Sequence, residues 1–436
     1  MTKPGLETRR VALEALLQSD YGHFVGEWIA GHGQDLSPAD RGLALEIALT
    51  TLRWKRFLDH QLEPRLQRWP GDRAVWILRM ALAQIWRLDR IPHHAAVDIA
   101  VDLSHELDGP RMAGLVNAVL RGCLRTGPLV PEGDDPLTLS IRHSHPEWLV
   151  KRWCTRLGAE RTAQWLIADN LTPPLWVRPN PRWSGELPWT EEQILSKVLD
   201  GAFVRLDASR QELLASSAFA EGAFSFQDPA SGRAALALAP YIPAGGTFLD
   251  LCCAPGGKTA MLAEAGYLDG VKTFACDLSH ERQLRTLEGF SRLKDMAGIA
   301  TLCADGLQPP FQPESFDAIL LDAPCSNLGV LARRPEARWR LAPADLATQS
   351  GLQLALLESA LRLLKPGGVL AYSTCTVEPE ETTNLVYPLK KAGACEFIDL
   401  SGLESPEPSS SPLLCVHPGT HGWDGFFTAL LRKPQT

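Results

Sequence analysis

Apolar residues recur at helical spacing through the first 125 positions, with no sustained strict alternation among them. Val11, Leu13, Ala15, Leu16 and Leu17 follow a Glu/Thr-rich opening. Ser37-Pro38-Ala39-Asp40 has the form of a helix start, with Ser as N-cap and Pro in the first turn. It leads into Leu43, Leu45, Ile47, Ala48, Leu52 and Trp54. Val75, Leu78, Leu82, Ile85 and Trp86 define a third apolar face, a fourth helix starts after Pro92, and Leu115–Leu120 marks a fifth. The pattern predicts an all-α bundle over residues 1–130. Between Thr126 and Pro136, two glycines, three prolines and three acids make a linker composition. Residues 141–225 read as a small α+β segment. It has short helices at 146–157 and 161–167, then a strand emerging from Thr172-Pro173-Pro174. Beyond that strand, Pro181, Gly185 and Pro188 interrupt any regular element.

From Gly246 the pattern changes to strand–helix alternation, which predicts a parallel sheet covered by helices on both faces, an α/β Rossmann-like domain over 226–436. Predicted strands are Thr247–Cys252, Val271–Cys276, Ile299–Ala304, Phe316–Leu321, Gly368–Thr374 and, closing the chain, Phe426–Leu431. Helices fill the gaps at Gly257–Ala265, His280–Lys294, Ala344–Leu364 and Glu378–Lys391. Asp277, Asp305, Asp322 and Cys375 each follow a strand end. In a doubly wound sheet the carboxyl ends of the strands hold the ligand, so these four residues are expected to face one crevice. Residues 404–412 are low-complexity and read as an exposed loop.

Composition narrows the class. The 436 residues suit two or three domains, and 45% hydrophobic with 22% charged residues excludes wholesale disorder. No apolar run is long enough to span a bilayer, and the opening Met1–Arg10 carries charge where a signal peptide would be apolar, so a cytoplasmic location is expected. The ten cysteines contain no C-x-x-C pair, and eight lie between Cys252 and Cys415, which argues against a disulfide scaffold or zinc ribbon. Net charge is −8, but residues 1–170 balance at 21 basic and 21 acidic side chains. That front part also holds a local basic cluster, Arg53, Lys55, Arg56, Arg65, Arg68 and Arg73. For any one of these a solvated helix face is the commoner role, and a phosphate contact the sharper one. Global charge does not exclude a nucleic-acid partner.

The densest chemical signal is Leu249-Asp250-Leu251-Cys252-Cys253-Ala254-Pro255-Gly256-Gly257-Lys258-Thr259, an apolar strand ending in a Gly-rich turn that opens a helix. Glycines admit close backbone approach, and a helix N-terminus offers free N–H groups. A Walker A loop would need Gly at position 252, where Cys252 stands, so an NTPase is excluded. A nucleoside-binding turn fits, with Asp277 placed to accept ribose hydroxyls. Two further motifs are Asp322-Ala323-Pro324-Cys325-Ser326 and Ser373-Thr374-Cys375-Thr376. A single cysteine on a strand is usually an apolar filler. Two of them past two strand ends, one three residues after an Asp, suit thiolate addition to an electron-poor pyrimidine. Arg333, Arg334, Arg338 and Arg340 follow in one loop and are expected to meet RNA phosphates, with Trp339 among them equally suited to stacking on a base or to packing.

These residues resemble the NOL/NOP/Sun family of RNA cytosine-C5 methyltransferases, and the resemblance covers nearly the whole chain. In the catalytic half it rests on Asp250–Thr259, Asp277, Asp305, the Pro-Cys and Thr-Cys motifs, Gln227-Asp228-Pro229-Ala230-Ser231 and Asp424-Gly425-Phe426-Phe427. In the front half, Leu88–Val97 and Val116–Arg121 look like a NusB-like RNA-binding bundle, and Ser144–Leu149 like the inter-domain segment. The resemblance implies a class I methyltransferase that uses S-adenosyl-L-methionine on a cytosine of small-subunit (16S) ribosomal RNA, as a monomer, with no metal and no membrane. It assigns attack on cytosine C6 to Cys375 and product release to Cys325. DNA cytosine methyltransferases use the Pro-Cys residue for attack, so the choice between the two thiols comes from the resemblance. Asp322 would bind the base edge, with Lys258 nearby. The turn Cys252, Cys253, Ala254, Pro255, Gly256, Gly257 would embrace the methionine portion of the cofactor, Asp277 its ribose and Asp305 its adenine side, and Asp322 would border the same pocket.

Two departures stand out. The turn has Cys252-Cys253-Ala254 where the family usually has one Cys and two Ala. The loop after Cys325 reads Ser326-Asn327-Leu328-Gly329 in place of Ser-Gly-Thr-Gly. Asn tolerates left-handed backbone, so the loop is expected to keep its shape. Two alternatives remain open from sequence. One keeps the chemistry and moves it to tRNA or another rRNA site. The other is a non-catalytic RNA-binding or antitermination factor on a relic fold, against which the intact Cys375, Cys325, Asp322 and Gly-rich turn all argue.

Overall fold

The computed structural model describes residues 5–293, 296–406 and 411–435. The contacts divide the chain into two compact units, residues 1–172 with 331–341, and residues 173–330 with 342–436. The helices expected at 146–157 and 161–167 fall in the first unit, and the strand expected after Pro174 falls in the second. Lys294, the end of one predicted helix, and residues 407–410, the middle of the predicted loop, lie outside the described residues.

The first unit is helical, as its 3.6-residue periodicity predicts. Leu6–Ser19, Val25–His32, Pro38–Arg53, Lys55–Leu62, Asp72–Arg87, His93–Asp108 and Pro110–Thr126 form the bundle. Shorter helices Pro136–Arg142, Glu147–Leu157 and Ala159–Ala168 come after it. Ser37 caps the third helix as expected, its Oγ accepting from Asp40 N at 3.1 Å, with Pro38 at the first position. Leu13, Leu16, Ile47, Phe57, Trp76, Leu82 and Leu120 meet in one core, each contributing about 1.5–3 kcal/mol by leaving water. The basic cluster is largely tied down within the chain. Arg53 is buried, Arg56 donates to Ser140 Oγ at 3.0 Å, Arg65 to Gln61 O at 2.6 Å and Arg73 to Leu107 O at 3.2 Å.

The segment 331–341 belongs to this unit although it comes after the Pro-Cys motif in sequence. It carries one helical turn, Ala337–Arg340, in which Arg338 corrects the expectation of a phosphate-facing loop, while Arg334 is exposed. Arg338 is 0% exposed. Its guanidinium donates to Ser144 O at 3.1 Å, Asn170 Oδ1 at 2.9 Å and Asp169 O at 3.0 Å, so it satisfies backbone carbonyls instead of reading RNA. Arg340 donates to His23 O and stacks 4.6 Å from the Phe24 ring centroid. Arg334 lies 4.3 Å from the same ring and 3.9 Å from Glu27, and Arg333 is half-buried. Trp339 packs on the bundle core and donates its indole N–H to Leu52 O at 2.7 Å, which settles its role as packing.

In the second unit, strands β1 (Leu175–Pro179), β2 (Ile194–Val198), β3 (Phe203–Leu206) and β4 (Phe224–Phe226) form a small antiparallel sheet in the order β2-β3-β1-β4. The main sheet contains β5 (Thr247–Asp250), β6 (Lys272–Asp277), β7 (Ile299–Cys303), β8 (Phe316–Asp322), β9 (Leu364–Thr374), β10 (Glu396–Ile398), β11 (Leu414–Val416) and β12 (Phe426–Arg432). Its order is β10-β12-β9-β8-β5-β6-β7, with β11 on the free part of β12. Strands β5 to β9 run parallel, and β12 returns antiparallel to β9. The central strands carry unbroken apolar runs such as Ile319-Leu320-Leu321, as strands covered on both faces require. From β5 the chain winds outward through β6 and β7, then crosses to β8 and β9 on the other side. The order therefore reverses between β5 and β8, where such sheets open a crevice.

Candidate active site

The turn after β5 is built for close approach. Gly256 has φ +90°, and a Cβ there would sit 2.7 Å from Phe290 and 2.9 Å from Thr286, so only glycine fits. Gly256 N donates to Cys253 O at 2.6 Å, closing the turn ahead of the helix Gly257–Glu264. A Cβ on Gly257 would meet nothing within 4 Å, so the helix N-terminus faces open space. Cys252 and Cys253 have thiols that burial and the neighbouring carboxylates push far up, so they remain neutral packing groups. Asp250 is buried and accepts from Thr259 Oγ1 at 2.5 Å, and burial pushes its carboxyl up to about 7. Sequence reasoning had left both Asp250 and Thr259 without a role.

Asp277, at the end of β6, is nearly buried. Its carboxylate accepts from Ala254 N at 3.1 Å and Ser279 N at 3.0 Å and lies 3.3 Å from Arg282, so it braces the Gly-rich turn and has acceptor capacity for about one more donor. Asp305 is exposed past β7, its Oδ1 accepting from Leu307 N at 2.9 Å.

Asp322 ends β8. Lys258 Nζ lies 2.6 Å from Asp322 Oδ2, and Ser373 Oγ donates to Oδ1 at 2.8 Å, so one carboxylate joins the Gly-rich turn to the end of β9. The Lys258 ammonium also sits 5.1 Å from the Phe426 ring centroid, a cation–π contact with the closing strand. The two cysteines meet: Cys325 Sγ and Cys375 Sγ are 3.1 Å apart. Their environments differ. Cys325 is 8% exposed, and its hydrogen bond to Cys375, burial and the Glu381 carboxylate push its thiol well up. Cys375 is half-buried.

Residues outside the motifs hold this pair. Glu381 is buried with its carboxyl pushed up by desolvation, and its Oε1 accepts from Ser326 N at 2.8 Å and Gln353 Nε2 at 2.9 Å. Ser326 Oγ lies 2.5 Å from Glu381 Oε2 and 3.1 Å from Thr376 Oγ1, so one carboxylate joins the loops that come after both cysteines. Asn327 has φ +61°, the left-handed backbone expected of it. Gly329 N donates to Cys375 O at 3.0 Å, and Gly329 O accepts from Gly425 N at 2.7 Å. The Asp-Gly-Phe-Phe motif at the chain's end is thus laced to the Pro-Cys loop.

Comparison with known proteins fits this architecture. Residues 235–432 match the family described as 16S rRNA methyltransferase RsmB/F, and residues 6–125 match the NusB family. The chain is 33% identical over 447 residues to the ribosomal RNA small subunit methyltransferase B of Vibrio cholerae serotype O1, with 98% of each chain covered. It is 32% identical over 436 residues to the protein of the same name from Sodalis glossinidius, with 98% of this chain and 97% of that one covered. The crystal structure of PH0851 superposes with a TM-score of 0.81 over 99% of this chain and 100% of that one, at 24% identity, a likeness of fold. The second unit is therefore a methyltransferase domain, in a chain whose helical front is NusB-like. The chain belongs to the RsmB/F family of 16S rRNA methyltransferases.

Proposed function

We propose that this protein transfers a methyl group from S-adenosylmethionine to C5 of a cytosine in small-subunit ribosomal RNA through a covalent adduct on Cys375. The observation that carries this reading is the pair of thiols 3.1 Å apart, past the ends of β8 and β9, on loops tied to Asp322 and Lys258. Cytosine C5 is a weak nucleophile. As Cys375 Sγ bonds to C6, its thiol proton passes to N3 of the base beside Asp322, which leaves C5 electron-rich and stabilises the adduct. S-adenosylmethionine supplies an electrophilic methyl carbon on a sulfonium. The open Gly257 turn, the remaining acceptor capacity of Asp277 and the exposed carboxylate of Asp305 suit its amino-acid, ribose and base portions in turn. Once C5 carries the methyl, its proton must leave to a base as the C6–S bond breaks. Cys325 is the neighbour for that step: its thiol first gives its own proton to solvent, and the thiolate then takes the proton from C5 as Cys375 leaves C6. The family resemblance assigns the attack to Cys375, which is also the more exposed of the two thiols.

The test is tritiated-methyl transfer to 16S rRNA and to tRNA. Cys375→Ala is expected to lower transfer to 16S rRNA by at least about a thousandfold. Cys325→Ala is expected to accumulate a protein–RNA adduct seen as a shifted gel band. Transfer that survives Cys375→Ala would reverse the assignment, and transfer to tRNA alone would move the substrate.

A further inference from the structure

The side chain of Asn327 sits where the two thiols meet. Its Nδ2 donates to Cys325 O at 2.9 Å, and its Oδ1 accepts from Cys375 Sγ at 3.2 Å. The orientation of this amide is forced, because a peptide carbonyl can only accept: Nδ2 must face Cys325 O, which leaves Oδ1 for the sulfur. Once Cys375 S–H points to Asn327, the proton between the two sulfurs must come from Cys325. The three groups then form one directed chain, Cys325 S–H to Cys375 S–H to Asn327 Oδ1, across the 3.1 Å sulfur pair. The backbone contributes to the same end. With φ +61°, Asn327 folds its side chain back over the loop that begins at Cys325, and Leu328 leads on to Gly329, whose N–H holds Cys375 O at 3.0 Å.

We propose that Asn327 is a positioning residue for the methyl-transfer reaction. Its amide fixes the direction of the hydrogen bond between the two thiols and holds Cys375 Sγ in place for attack on the base, the Cys375 proton passing to N3 as the S–C6 bond forms. This inference rests on the covalent reading given above. It gives the Asn at this turn a task that a residue chosen only for left-handed backbone would not have.

The experiment uses the full chain with 16S rRNA transcribed with 5-fluorocytidine, in which fluorine at C5 blocks proton loss and the Cys375 adduct accumulates. Asn327→Gly keeps the backbone free of strain and removes the amide. Asn327→Asp keeps the shape and an acceptor toward Cys375 but cannot donate to Cys325 O. Both variants are expected to form the adduct about five- to tenfold more slowly than wild type, the loss of one or two hydrogen bonds. KM for RNA is expected to stay within about twofold, because neither bond is to substrate. A wild-type rate of adduct formation in either variant overturns the proposal. Failure of the underlying reading looks different: wild type itself would form no adduct, or the adduct would survive Cys375→Ala.

Discussion

At the scale of single residues, charge and burial divide the acids of the crevice into different tasks. Asp322 is paired with Lys258, whereas Asp250, on the adjoining strand β5, has among the described residues only Thr259 as its hydrogen-bond donor and is pushed up to about 7. The stability linked to Asp250 has a definite sign. Its carboxyl holds a proton more tightly folded than unfolded, so its contribution is full below about pH 4 and is lost as pH rises toward 7. Asp250→Asn should remove that slope. Thermal melts at about pH 5 and about pH 8 should show wild type losing more stability than the variant over this interval, and parallel losses would contradict the assignment. That Asp322, Cys325 and Cys375 meet at one crevice was legible because each stands at or just past a strand end within a dense motif. Glu381 was not. It lies in the acid run Glu378-Pro379-Glu380-Glu381, which reads as a solvated helix start, and only the tertiary approach of Ser326 and Gln353 makes it a buried clasp.

At the scale of elements, the parallel core was readable from its apolar runs, and β5, β6, β8 and β12 fall close to their expected limits. The strands β10 and β11 were missed because three residues are too few to display a period of two, and both exist through pairing with β12. The helix expected over Glu378–Lys391 opens as a single 3₁₀ turn, Pro379–Glu381, before Thr383–Lys391, since Glu381 turns inward instead of continuing the helix. A tight backbone approach joins the Pro-Cys loop to the start of β12. A Cβ on Gly329 would drive into the carbonyl oxygen of Gly425 and lie 2.9 Å from that of Cys375. Gly329→Ala is therefore expected to cost about 1–3 kcal/mol in a denaturant titration and to abolish methyl transfer, since the backbone that gives way is the one holding both cysteines. A variant with wild-type turnover would show that the loop can move without harm.

At the scale of the whole molecule, the helical unit gives way to the α/β unit at Pro173, where the sequence predicts its first strand, but the transfer of segment 331–341 to the first unit could not be seen in the sequence. Four arginines within eight residues look like a phosphate reader, and nothing local distinguishes them from one that fills a buried carbonyl cage. The cage is assembled from Ser144, Asp169 and Asn170, more than 160 positions earlier in the chain. Arg338→Ala should leave these carbonyls without a partner and lower the melting transition of the first unit by the equivalent of about 3 kcal/mol or more, read by calorimetry. The salt dependence of RNA binding should be unchanged, because a guanidinium with no exposure neutralises no phosphate.

The borrowed arginine bears on how this polypeptide matures during synthesis. Nascent chains ordinarily complete their leading domain while later residues are still being translated. Here the helices after the opening bundle lack Arg338 until translation has passed it, by which point β5 to β8 have already been made. The first unit is therefore completed only by a piece delivered from the middle of its successor.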